Sequence, residues 1–240
     1  KSHNVPTADR AYLVNRVAAE KYPDVKFTAF GGLCLNHPVG GLNPDAVETS
    51  LKLGAKVIWL PTNTAENHYR KNGKDPSKGV VVTRDGKAVD ELQDIFALVK
   101  QYNAVLATGH IGAEECFPVV EAARAAGVEK IVITHPEFWV VGMTPEQQAD
   151  IVRKYDVLLE SVYAQPVNGS YKINIPDNIA AMKAIGPEHF VISTDSGQTV
   201  NPYWYESYTT YFKAVSEVFT PEQVRKMTHD NPAWLLDIDQ

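Results

Sequence analysis

The residues with the most chemistry in them sit directly after short apolar runs. Ala104-Val105-Leu106-Ala107-Thr108 is followed by Gly109-His110, Lys130-Ile131-Val132-Ile133-Thr134 by His135-Pro136, and Phe190-Val191-Ile192-Ser193-Thr194 by Asp195. Two imidazoles and a carboxylate at equivalent places on strands form a donor set for zinc or a similar divalent cation, because neutral imidazole and carboxylate both offer lone pairs. Each member also has a plainer explanation. A histidine after a strand is usually a polar loop residue, and Asp195 alone would serve as a turn or helix-capping residue. Their shared register is what carries the metal reading.

Elements that could position these residues alternate along the chain. A helix is expected over 7–22, then a strand over 26–35 that closes at Asn36-His37. Asn43-Pro44 is a helix start, with a side-chain cap followed by proline at the first helical position. Lys56–Leu60 reads as a strand stopped by Pro61. Residues 62–89 form a polar insertion in which Arg84-Asp85-Gly86 signals a hairpin. Helices over 90–102 and 113–126 lead into the two histidine-terminated strands. Thr144-Pro145-Glu146-Gln147 is a capping box, and Val157–Leu159 is the next strand. A loop, a helix over 176–185 and the strand before Asp195 follow, then helices over 205–219, 221–228 and 232–236.

Six near-continuously apolar strands alternating with helices predict a parallel sheet covered on both faces. That pattern suits either an open doubly wound sheet or part of an eight-stranded barrel. No GxGxxG or GxxxxGK[ST] follows a strand, which removes the usual nucleotide-binding loops of open sheets. In a barrel, groups at the C-terminal strand ends converge on one rim.

Bulk properties bound the rest. The chain has 240 residues, of which 44% are hydrophobic and 22% charged, so one globular domain spanning 1–240 with a hairpin insertion is expected. A net charge of −6 argues against a nucleic-acid surface. No apolar run reaches the ~20 residues that would span a bilayer, and the opening residues do not read as a signal peptide. Cys34 and Cys116 are too far apart for a paired metal knuckle and read as buried free thiols, which suits a reducing, cytoplasmic setting. The expected partner is a small-molecule substrate, with a homo-oligomer compatible with the composition.

Thr108-Gly109-His110-Ile111, Thr134-His135-Pro136 and Ser193-Thr194-Asp195 resemble the strand-five, strand-six and strand-eight signatures of the amidohydrolase superfamily. Asn231-Pro232-Ala233-Trp234-Leu235-Leu236 resembles its closing helix. Gly31–Asn36, Gly40–Pro44 and Trp59–Thr62 resemble an uncharacterised amidohydrolase-related family. The resemblance runs through the whole chain in strand order. It implies a (β/α)8 TIM-like barrel holding one or two divalent ions, with Zn2+ the expected metal, and His110, His135 and Asp195 as ligands. By that count the visible strands are the third to eighth. The barrel therefore lacks its N-terminal one to two strands, and the superfamily's first-strand His-x-His is not in this sequence. Pro61-Thr62 also stands where many relatives carry a metal-bridging lysine or glutamate, which implies a single-metal site or an unusual bridging group.

The resemblance further implies that Asp195 is the catalytic acid–base group in hydrolysis of a small amide, cyclic imide, lactone or ester. Alternatives are a metal-dependent decarboxylase of the same superfamily and a non-catalytic scaffold. Lys1 and His3, Asn36 and His37, His68 in the insertion, and Glu160 after the strand at 157–159 are candidates for touching substrate or supporting the ligands. A frayed terminus, a loop position or a salt bridge is the plainer reading of each. Phe138, Trp139, Tyr163, Tyr203, Trp204 and Tyr205 would wall an apolar pocket, join the core or form oligomer contacts.

Overall fold

A computed structural model describes residues 2–238 of the chain. The chain divides into two compact units, Lys1–Ile131 and Val132–Gln240.

The first unit opens with α1 (Ala8–Lys21), which rests on β1 (Gly31–Cys34). Asn15 on this helix brackets Ala29, donating Nδ2 to its carbonyl at 2.9 Å while Oδ1 accepts its amide. The strand expected over 26–35 is therefore shorter than its apolar composition suggests. Residues 26–28 are exposed, and the Asn15 bracket rather than a strand ladder steers this stretch. α2 (Pro44–Lys52) starts as expected, with Asn43 Oδ1 accepting the amides of Asp45 and Ala46 at 3.1 and 3.3 Å. β2 (Ala55–Trp59) follows.

The insertion after β2 contains an unanticipated short helix, α3 (Glu66–Lys71), and the expected hairpin, β3 (Thr83–Arg84) paired with β4 (Lys87–Ala88). Asp85 and Gly86 both have positive φ at its tip, 52° and 73°, as a type I′ turn requires. α4 (Leu92–Gln101) buries Leu92, Ile95, Phe96 and Val99 on one stripe. β5 (Val105–Ala107) and α5 (Ala113–Ala125) complete the unit. β1, β2 and β5 pair in parallel in that order. Their core is Leu33, Ile58, Leu60 and Leu106, all fully buried. Cys34 and Cys116 are free and buried, and burial pushes the Cys116 thiol upward.

α5 begins three residues after His110, and its start is fixed by Glu115, whose Oε2 accepts the Gly112 amide at 2.7 Å. Burial raises the Glu115 carboxyl above its ordinary value, against the opposing pull of that amide and of the Thr83 hydroxyl. A carboxyl raised on folding favours the native state below its unfolded value and loses that contribution as pH rises through the folded value. E115Q keeps an oxygen for the cap and carries no charge. Its stability relative to the parent should therefore climb as pH rises from the ordinary carboxylate range through the raised Glu115 value. Urea unfolding across that range reads the difference, and a pH-independent offset would contradict it.

The second unit contains β6 (Ile131–Ile133), which begins at the boundary, α6 (Pro145–Tyr155), and β7 (Leu158–Val162). An unanticipated hairpin, β8 (Ala164–Val167) with β9 (Ser170–Ile173), turns at Asn168-Gly169, where φ is 50° and 77°. Then come α7 (Ile175–Ile185), β10 (Phe190–Ser193), α8 (Trp204–Ser216), α9 (Pro221–Arg225) and α10 (Asn231–Leu236). α6 opens on the expected capping box, Thr144 Oγ1 accepting the Gln147 amide at 3.2 Å and Gln147 Oε1 accepting the Thr144 amide at 2.9 Å. β6, β7 and β10 are parallel neighbours. Each unit thus sets three parallel strands between helices, an α/β architecture. No helix among the described residues is long and apolar enough to cross a membrane.

Candidate functional site

In the first unit the strand ends carry a cluster of polar groups organised by Asn36, which is 1% exposed. Its Oδ1 accepts the Thr62 amide at 2.9 Å, the Thr64 amide at 3.1 Å and the Thr64 hydroxyl at 3.0 Å. Backbone amides only donate, so the amide's orientation is fixed, and Nδ2 donates to the His3 carbonyl at 2.8 Å and to Thr62 Oγ1 at 2.7 Å. Asn36 is thereby saturated. It clamps the loops after β1 and β2 to the segment carrying His3, and orients its neighbours rather than offering itself to a substrate.

Three imidazoles gather beside this clamp. His3 Nδ1 lies 2.7 Å from Thr62 Oγ1, and its ring centroid is 6.1 Å from that of His110. His68, on α3, brings Nδ1 to 2.8 Å from His110 Nδ1, with ring centroids 4.9 Å apart. One nitrogen of that pair must donate and the other accept. Burial, helped by the charge of Lys74 and by His3, pulls the His68 pKa down to about 4, so its ring is neutral at physiological pH. His110 itself is 7% exposed, and its carbonyl accepts Asn67 Nδ2 at 3.0 Å. Thr62 and Asn67 are the organising residues that sequence reasoning missed. In the sequence, Pro61-Thr62 marks a strand end and part of the family resemblance, with no sign of this bonding role.

Among the remaining candidates of this unit, His37 reaches the cluster through its backbone amide, which donates to Thr64 Oγ1 at 3.1 Å. His37 is exposed, and its Nε2 meets the Lys78 carbonyl at 2.7 Å. Lys1 lies outside the described residues.

In the second unit, His135 follows β6 and is fully buried, with the Phe138 ring centroid 4.3 Å away. Its φ of 29° is unusual for a side chain of its kind, and Asp195, after β10, has φ of 46°. Left-handed backbone at non-glycine residues costs on the order of 1 kcal/mol or more and concentrates at functional sites. The loop after β6 is fastened by a polar chain. Trp139 N donates to Gln165 Oε1 at 2.9 Å, Gln165 Nε2 to Asn174 Oδ1 at 2.8 Å, and Asn174 Nδ2 to Glu137 Oε1 at 3.3 Å. Burial, reinforced by the charge of Glu160, pushes the Glu137 carboxyl up to about 8. Sequence patterns did not single out Glu137, Gln165 or Asn174.

Glu160 requires a correction. β7 extends to Val162, so Glu160 lies within the strand rather than after it, and Glu160 Oε1 accepts the Ser193 hydroxyl of β10 at 2.8 Å. Asp195 Oδ2 accepts Gln198 Nε2 at 3.3 Å. Gln198 and Ser196 also line a cavity of about 600 Å³ with Tyr203 and Trp204. Among the described residues, no three histidine, cysteine, aspartate or glutamate side chains stand at metal-ligand distances. The three imidazoles gathered in the first unit are nevertheless of the donor type that suits a borderline cation.

Comparison with solved structures finds this fold in known enzymes. An amidohydrolase from Pseudomonas aeruginosa superposes with a TM-score of 0.57 at 14% identity, covering 81% of this chain and 67% of that one. 2,6-Dihydroxybenzoate decarboxylase from Rhizobium gives 0.53 at 16% identity, covering 99% and 81%. Dihydroorotase from Saccharomyces cerevisiae gives 0.55 at 14% identity, covering 98% and 74%. The chain therefore shares the α/β fold of these enzymes. By sequence, no curated protein matches the chain. A family model does match, over residues 1–160, and the chain belongs to that family, described as a family of unknown function (DUF6282).

Proposed function

We propose that the chain is a metal-dependent hydrolase acting on a C–N or C–O bond of a small amide, cyclic imide, lactone or ester. His110, His135 and Asp195 would hold one divalent cation, with Zn2+ the best match to two imidazoles and a carboxylate. When bound, such an ion supplies Lewis acidity, lowering the pKa of water and polarising a carbonyl. The protein's own residues do the rest. Asp195 takes the proton of the attacking water and returns it to the leaving group. The neutral His68, whose Nδ1 lies 2.8 Å from His110 Nδ1, orients that ring. Buried Phe138, its ring centroid 4.3 Å from that of His135, keeps one side of that imidazole apolar.

The observation that carries this reading is the left-handed backbone at His135 and Asp195, joined by Gly109 with φ of 65° immediately before His110. Each proposed ligand lies at or beside a left-handed backbone position, the residue itself at 135 and 195 and the preceding glycine at 110, where the chain turns sharply off its strand. The test is metal content after metal-replete expression. The parent should hold about one divalent ion per chain, and H110A and H135A well below that. Parent-level metal in both variants would overturn the assignment, and a metal-free parent would favour a non-catalytic scaffold.

A decarboxylase remains the second reading, favoured by the decarboxylase neighbour that covers 99% of this chain. Release of carbon dioxide without consumption of water separates the two.

A further inference from the structure

The exposed face of α1 has a spacing that complements itself. Ala8, Ala11, Asn15 and Ala18 form the side of the helix turned toward the protein, Ala8 buried and the other three partly so. On the opposite side, Arg10, Leu13, Val17 and Glu20 fall at intervals of three, four and three residues, which is one straight seam of an α-helix. Leu13 and Val17, at its centre, are 61% and 49% exposed. Val14 beside them is 47% exposed, so the apolar strip is wider than a single row. Branched apolar residues left in water along a helix face mark a docking surface rather than a solvent face.

The seam reads the same in reverse apart from charge. When a second copy of the helix runs antiparallel across the first, Leu13 layers with Val17 and Arg10 with Glu20, and two-fold symmetry repeats both layers. The outer layers are then opposite in charge at both ends. A parallel arrangement would instead set Arg10 against Arg10 and Glu20 against Glu20. Like charges facing each other are destabilising, so the seam selects one orientation. A two-fold interface needs this kind of patch, one that is complementary to itself.

We propose that the chain forms a two-fold homodimer through antiparallel pairing of α1, with Leu13–Val17 layers at the centre and Arg10–Glu20 layers at the ends. The interface stands on this surface alone and is independent of the catalytic proposal.

Sedimentation equilibrium on the full chain tests it. The weight-average mass should rise with concentration from one chain, 26.5 kDa, toward two. R10E and E20R singly place like charges in both outer layers and should each weaken association about tenfold or more, equivalent to about 1.4 kcal/mol. The double exchange R10E/E20R restores opposite charges and should recover most of the parent affinity. All these positions are exposed, and far-UV circular dichroism checks that the variants fold. A parent that stays monomeric at every concentration would overturn the proposal. So would a dimer indifferent to the single exchanges, or one that the double exchange fails to rescue, since the contact would then lie elsewhere.

Discussion

Replacing Asp195 by asparagine is expected to remove turnover, by at least about 10²- to 10⁴-fold, the usual contribution of a positioned acid–base group. The backbone argues that this loss will not come from misfolding. Asp195 sits at φ of 46°, a region that aspartate and asparagine tolerate better than other side chains. Asparagine also keeps an oxygen to accept the Gln198 amide, now at 3.3 Å. The thermal midpoint of D195N should therefore stay near that of the parent while kcat collapses. Alanine is the poorer probe, because it would add backbone strain and remove the acceptor together. Hydrolysis of a responsive amide, ester or lactone is the readout, with circular dichroism as the folding control. D195N that turns over at the parental rate would remove Asp195 from the chemistry.

Much of the scaffold behind that prediction could be read from residue order. Strands buried on both faces need uninterrupted apolar residues, so 104–108, 130–134 and 190–194 announced themselves, and the first polar residue after each marked the strand end. Helix starts were equally legible where a side chain satisfies free amides, as at Asn43 and Thr144. Short polar elements were not. α3 is six residues long and has Asn67 as its buried residue, so it carries no apolar period. The β8–β9 hairpin had a usable signal in Asn168-Gly169, but the exposed faces of Ser170–Ile173 blur the alternation around it. The apolar run of β7 is interrupted at Glu160, so the strand reads as ending at Leu159, although it continues to Val162. Contacts between distant segments were further out of reach. His68 and His110 are 42 positions apart, and nothing local in either segment specifies that their Nδ1 atoms meet. Asn36 likewise looked like a rim residue, because its five bonds are made with loops brought in by other strands. Backbone sign is the last hidden quantity: the type of residue 135 gives no hint that it adopts a left-handed turn.

That backbone sign sets up the largest stability effect expected, at Gly109. With φ of 65° it occupies a conformation that costs most other residues about 1 kcal/mol. Space is the greater constraint. A Cβ there would lie 2.5 Å from the Leu60 carbonyl oxygen and 2.8 Å from that of Pro61. Both are backbone atoms, and neither can rotate aside. They are also pinned to the same loop, since Leu60 N donates to the Ala107 carbonyl at 2.8 Å and His110 N to the Pro61 carbonyl at 3.0 Å. G109A must therefore part the loops after β2 and β5 and strain the bonds that seat His110. A loss on the order of 3 kcal/mol or more is expected, as for other severe backbone substitutions. In a domain of this size that lowers the thermal midpoint by roughly 6–12 °C. Gly54 provides the control that separates conformational strain from collision, because its φ is 94° and a Cβ there would meet nothing within 4 Å. G54A should cost only about 1 kcal/mol. Calorimetry or urea unfolding of the two variants side by side decides the matter. Equal losses would mean that the close approach of β5 to the β2 loop is not what holds His110 in place. A much larger loss at 109, accompanied by lower metal content, would tie the turn to the seating of that imidazole.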